Sequence, residues 1–278
     1  MPPSAMEKRV LIGPDSAREW SAAESTVEAS AGRAPGGKSA LHWHITVDHL
    51  AGEPKYPIGW PRIQRGLKDT ARDWSGWDFL LVRILTETSR AALPSEPVGL
   101  TLYTPDRNGA LNRPLHELRK GEWTEIMIPL AQVPRHHDVR QLQFHIAEAK
   151  YRHQDQLDFY FDEVALLRYA EPTLLDFAAE SAVMFADAPQ IPVRFQLAGV
   201  QPEASVAVIC ELRREGRGAV RAEVTATRGT HRTLLDVKQA KLPSGEYELT
   251  ARAANGSTVA TANVRLVESP WKGRGAGP

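Results

Sequence analysis

The chain has 278 residues, 42% of them hydrophobic, with 34 Lys+Arg balanced by 34 Asp+Glu, which fits one large or two medium domains. Zero net charge excludes binding driven by basic attraction to nucleic acid or to an anionic membrane surface. No apolar run reaches the ~20 residues that span a bilayer, and the lone Cys210 excludes an internal disulfide and a cysteine-based zinc site.

The start, Met1-Pro2-Pro3-Ser4, lacks a basic segment followed by an apolar stretch, so no signal peptide is expected in this sequence. The first clear element is the alternation Leu41-His42-Trp43-His44-Ile45-Thr46-Val47, with Leu41, Trp43, Ile45 and Val47 on one face. A long Pro/Gly-rich connection is expected from about His49 to Asp73. Strands follow at Phe79 to Leu85, Val98 to Tyr103, Thr124 to Leu130, Arg140 to Ile146 and Leu157 to Leu167, and a helical turn or two at Leu111 to Lys120. Within Phe159-Tyr160-Phe161-Asp162-Glu163-Val164 the inward phase slips, which predicts a β-bulge at Asp162-Glu163. This part reads as an all-β sandwich or barrel.

Around Tyr169-Ala170-Glu171-Pro172 the pattern resets. Strands are expected at Thr173 to Phe177, Ile191 to Leu197, Ser205 to Leu212, Val220 to Thr227, Thr233 to Val237, Tyr247 to Ala253 and Val259 to Val267. About seven strands in roughly a hundred residues, without a Cys…Trp…Cys pattern, predict an immunoglobulin-like sandwich unlike antibody domains. The expected division is 1–170, 171–268 and a flexible end at 269–278.

Catalytic signatures are missing: no Gly-x-Ser-x-Gly elbow, phosphate loop, His-Glu-x-x-His helix or dinucleotide fingerprint occurs. The residues opposing the apolar sets are more informative. His44, Arg83, Tyr103, Gln143 and His145 would form one ligand-binding face if their strands shared a sheet, offering planar hydrogen-bonding groups and a ring. An ordinary solvated face is the alternative. Of the seven tryptophans, Trp43 is in phase with the core, Trp123 covers a strand edge, and Trp74 and Trp77 plug a sandwich end. Trp60, in the long connection beside Tyr56 and Arg62, is the candidate for stacking on a ligand. The bulge could turn Asp162 toward Ca²⁺ or leave it solvated, and the histidines of His136-His137, His145 and His153 give no converging set, so zinc is not expected.

Four segments, Gly37-Lys38-Ser39-Ala40-Leu41, Arg72-Asp73-Trp74-Ser75-Gly76-Trp77-Asp78, Gly121-Glu122-Trp123 through Leu130, and Phe159-Tyr160-Phe161-Asp162-Glu163-Val164, together resemble the galactose-binding-like jelly-roll carbohydrate-binding modules that accompany glycoside hydrolases and polysaccharide lyases. The resemblance covers residues 1–170 and implies an all-β jelly roll followed by an immunoglobulin-like spacer. It further implies non-catalytic binding of a poly- or oligosaccharide beside an attached or associated catalytic domain, outside the cell or in the periplasm. A structural Ca²⁺ ligand is implied at Asp162, with Asp48 or Asp15 as its acidic partner. The alternatives are a structural or protein-interaction module that positions a catalytic partner, and a glycoside hydrolase in its own right.

Overall fold

A computed structural model of the chain describes residues 5–51, 59–105 and 111–271. The fold is all-β and divides into two compact units, Lys8–Leu167 and Arg168–Pro278 with Met1–Glu7. Among the described residues no helix is long and apolar enough to cross a membrane.

The first sandwich uses β1 (Met6–Ile12), β2 (Ser21–Ala23), β3 (Thr26–Ala34), β4 (Lys38–Thr46), β5 (Arg62–Gly66), β6 (Phe79–Thr88), β7 (Gly99–Tyr103), β8 (Leu111–Pro114), β9 (Trp123–Pro129), β10 (Gln141–His145) and β11 (Gln156–Tyr169). Sheet I has the order β3-β4-β11-β6-β9, with β1 on β11, and sheet II the order β2-β5-β10-β7-β8. Alternation dictates what each strand buries: Trp43, Phe159 and Phe161 of sheet I and Ile63, Leu100, Leu142 and Phe144 of sheet II form one core. The layers meet where the rings of Phe144 and Phe161 lie 4.6 Å apart, with Trp20 6.1 Å from Phe144 on its other contact. The expected bulge is present: between Phe161 and Glu163 the register with β6 shifts, and Asp162 is the extra residue.

Two local expectations fail. Leu111–Pro114 is an edge strand rather than a helical turn, because its backbone is paired with Gly99 to Leu102 of β7. The expected long connection is interrupted by β5, which Ile63 anchors in the core and which pairs with both β2 and β10.

The second sandwich uses β12 (Thr173–Ala179), β13 (Val183–Phe185), β14 (Gln190–Ala198), β15 (Ser205–Arg214), β16 (Arg217–Thr227), β17 (Gly229–Asp236), β18 (Gly245–Ala253) and β19 (Val259–Val267). Sheet III is β12-β14-β17 and sheet IV β13-β19-β18-β15-β16, with β13 parallel to β19. Between them lie Ile191, Val193, Phe195 and Leu197 against Val208, Cys210, Leu212 and Leu249. Cys210 is fully buried, and burial pushes its thiol pKa up to about 11. Tyr247, the third residue of β18, donates its hydroxyl to the carbonyl of Pro243 at 2.8 Å.

Candidate functional site

Sheet II turns a continuous polar row outward. Gln143 of β10 pairs in register with Gln64 of β5 and Thr101 of β7, Gln64 with Ser21, and Thr101 with Asn112. Residues in register on neighbouring strands share a face, so Ser21, Gln64, Gln143, Thr101 and Asn112 cross the sheet opposite the buried Leu100, Leu142 and Ile63. One residue pair along, His145 faces Arg62 and Gly99. A Cβ on Gly99 would sit 2.5 Å from His145 Cε1 and Nε2, so the missing side chain makes the bed for the imidazole. Tyr103 is in register with Gln141, whose amide donates to Gln64 Oε1 at 2.9 Å.

The chemistry of this face lies in what it leaves unmatched. Gln143 is only 2% exposed, yet among the described residues its Nε2 has no hydrogen-bond partner, and neither does the buried Nδ1 of His145. A buried amide without a partner costs about 1–3 kcal/mol, a penalty that an incoming acceptor removes. Burial also holds the His145 pKa below its ordinary value, so the ring is neutral and offers one donor and one acceptor. Trp60, 45% exposed, meets His145 edge-on with centroids 5.6 Å apart, and the Arg62 guanidinium lies 4.9 Å from the Trp60 ring centre. The rim thus presents an aromatic ring stiffened by a cation.

Two carboxylates hold this rim in place. Glu148, 3% exposed, accepts from the backbone N–H groups of Asp48 (3.0 Å) and Gly59 (2.6 Å), and Glu24 accepts from that of Trp60 (2.5 Å). A Cβ on Gly59 would collide with both acids, so this glycine is required for the approach.

Of the predicted residues, Trp60, Arg62, Tyr103, Gln143 and His145 come together on sheet II. His44 and Arg83 do not join them: β4 and β6 belong to sheet I, on the opposite layer. Alternation identifies their outward side but not the sheet. Tyr56 lies outside the described residues, as does the side chain of Asp15. Gln64, Ser21 and Asn112 escape a reading of the sequence, since β5 and β8 are too short and too polar to show a period.

The two acids expected to share a calcium ion are not brought together. Asp162 follows Phe161, the partner of Leu41, whereas Asp48 lies two residues past Thr46, the partner of Gln156. At ~3.3 Å per strand residue they stand more than about 20 Å apart. Asp162 faces Arg83 Nη1 at 3.1 Å, and Asp48 Oδ1 accepts from the Leu50 N–H at 2.9 Å. Arg83 stands where a cation would sit beside Asp162, so Asp162 and Asp48 do not make a calcium site together; the side chain of Asp15, the other candidate acid, lies outside the described residues.

No protein-family model matches the sequence, and no curated protein matches it. Similar solved structures include the glycoside hydrolase domain of Endo-D from Streptococcus pneumoniae R6, at 13% identity and a TM-score of 0.34, covering 88% of this chain and 37% of that one. The module CBM27-1 of Caldicellulosiruptor saccharolyticus, in complex with mannohexaose, is similar at 13% identity and TM-score 0.34, covering 58% of this chain and 96% of that one. The tandem CBM22-1–CBM22-2 domain from Paenibacillus barcinonensis is similar at 9% identity and TM-score 0.36, covering 86% and 87%. The chain spans 37% of the length of the first of these. The strand registers, rather than these distant likenesses, define the fold.

Proposed function

We propose that the first sandwich is a non-catalytic glycan-binding module of the jelly-roll type, with its site on the outer face of sheet II. The observation that carries this reading is the unpartnered, buried Nε2 of Gln143 within a row of amides and hydroxyls. A sugar hydroxyl both donates and accepts, so it can satisfy Gln143, the neutral His145 and the neighbouring Gln64 together. Trp60 at the rim suits the C–H face of a pyranose ring. Because the row is uncharged, affinity should depend little on salt.

The non-catalytic part of the reading is supported by the two carboxylates that crowd the rim. Glu24 and Glu148 line one small pocket, and each carboxylate is taken up by backbone amides of Asp48, Gly59 and Trp60, the engagement of braces for the rim. The second sandwich is read as an immunoglobulin-like spacer: its two-sheet order and the Tyr247 hydroxyl bond to Pro243, akin to the tyrosine corner of that architecture, support this. A place outside the cell or in the periplasm, beside an attached or associated catalytic domain, belongs to the same reading.

The test is a glycan array followed by calorimetry on the best ligand. Trp60→Ala should weaken binding at least tenfold while leaving the melting midpoint unchanged, since the ring is half exposed. Gln143→Leu should abolish binding, with stability equal to or above wild type, because it removes an unpaired buried amide. Unaltered affinity in both variants would place the site elsewhere.

A further inference from the structure

Sheet I carries a different cluster on its outer face. His42 and His44 are two residues apart on β4 and share a side, and Asp158 of β11 is in register with His44. Asp158 Oδ1 lies 2.7 Å from His42 Nε2 and 2.8 Å from His44 Nδ1, and the three ligand-type atoms fall within 4.8 Å of one another. All three residues are half-buried. Spacing could not show this set, because 116 residues separate His42 from Asp158.

The far nitrogen of each ring is held as well. His42 Nδ1 lies 3.5 Å from Glu28 Oε1 of β3, and His44 Nε2 lies 3.3 Å from Thr46 Oγ1. Thr46 also donates to Gln156 Oε1 at 2.9 Å. Without a metal, the contacts of 2.7 and 2.8 Å to Asp158 Oδ1 are N–H donations from His42 Nε2 and His44 Nδ1, since two acceptors do not close to that distance. Tyr160 fixes the His42 ring further, stacked on it at 4.5 Å and 7°. A metal ion bound at these three atoms would move each ring hydrogen to its far nitrogen, where Glu28 and Thr46 stand as the outer partners that set tautomer and orientation.

We propose that His42 Nε2, His44 Nδ1 and Asp158 Oδ1 form a binding site for a divalent transition-metal ion of the Zn²⁺ type, with a fourth position open to solvent. Zinc binds nitrogen and oxygen at ~2.0–2.2 Å in a tetrahedron, which sets neighbouring ligand atoms ~3.3 Å apart. The present contacts would open by roughly half an ångström, a small side-chain adjustment. Calcium and magnesium do not suit the set, because they prefer all-oxygen shells. The ion would bridge two adjacent strands directly and a third, β3, through Glu28. Binding only to the folded chain, it would stabilise sheet I as the logarithm of its concentration over Kd.

The experiment uses the untagged full chain stripped with chelator, then titrated with ZnCl₂ in calorimetry and in thermal melts. One Zn²⁺ per chain and a raised midpoint are expected, with no rise from CaCl₂ or MgCl₂. His44→Ala should weaken Zn²⁺ binding at least tenfold and remove the rise. Glu28→Gln, at an exposed position that leaves folding intact, should weaken it by ~10-fold through the outer partner alone. His153→Ala, at the separate His49–His153 ring pair, should bind as wild type. Absence of Zn²⁺ binding by the wild type, full binding retained in His44→Ala, or binding lost in His153→Ala instead would overturn the proposal.

Discussion

On the outer face of sheet I, Arg83 faces Asp162, Lys8 faces Glu163, Arg33 faces Glu87, and both histidines face Asp158. On the outer face of sheet II, Gln143 and His145 keep buried nitrogens without partners, and a tryptophan stands exposed beside them. Both faces carry polar groups, those of sheet I set among apolar patches around Leu85–Tyr160 and Leu81–Leu167, and both sit over the same aromatic core. What separates them is whether donors and acceptors are matched within the protein. Sheet I pairs its charged groups within the protein, whereas sheet II leaves buried nitrogens unmatched beside an exposed ring, the feature on which the proposed glycan site rests.

The largest effect should come from removing what the two faces share. Phe144→Ala takes away the ring that joins Phe161 and Trp20 across the layers and should cost about 3–5 kcal/mol in denaturant unfolding. A loss below about 1 kcal/mol would mean the layers hold together without this contact. Next comes Gly99→Ala, whose new methyl meets the His145 ring at 2.5 Å. Overpacking of this kind costs about 1–3 kcal/mol, and because the displaced ring belongs to sheet II alone, glycan affinity should fall while Zn²⁺ affinity holds.

A smaller effect concerns pH. Burial keeps the His145 pKa under the ordinary value near 6.5, so on acidification the unfolded chain takes up this proton before the folded one does. The stability contributed by the neutral ring is therefore complete above about pH 6.5 and declines as pH falls below it. His145→Gln should show a shallower decline between about pH 6.5 and 5.5 in melts than wild type; equal slopes would show that the ring does not titrate differently on folding. The smallest effect belongs to Arg83→Ala. The Arg83–Asp162 pair is partly solvated, so its loss should cost no more than about 1 kcal/mol and leave glycan binding untouched. The same melts in millimolar Ca²⁺ should superimpose on those with chelator for the wild type, because the guanidinium already neutralises Asp162.

How much of this could be read from the residues follows from what alternation encodes. Leu142 and Phe144 against Gln141, Gln143 and His145 mark the sidedness of β10, and the slip after Phe161 marks the bulge, since both are local. Alternation says which side of a strand is wet but not which strand lies next to it, so it groups His44 and Arg83 with a face on the other layer. Arg62-Ile63-Gln64-Arg65-Gly66 has one apolar residue to mark it as a strand; its assignment comes from pairing with β10, a non-local fact. The His42–Asp158–His44 cluster is hidden for the same reason.

The fully buried thiol of Cys210 turns the second sandwich into its own reporter. With its pKa pushed to about 11, almost none of it is thiolate at neutral pH, and no reagent reaches it in the closed state. Alkylation then proceeds only through opening of the sandwich that encloses it, so the modification rate, followed by mass, reads the local stability of one half of the chain. The first sandwich carries no cysteine and stays silent. A single chemical clock thus separates the two halves in the intact chain, without cutting it.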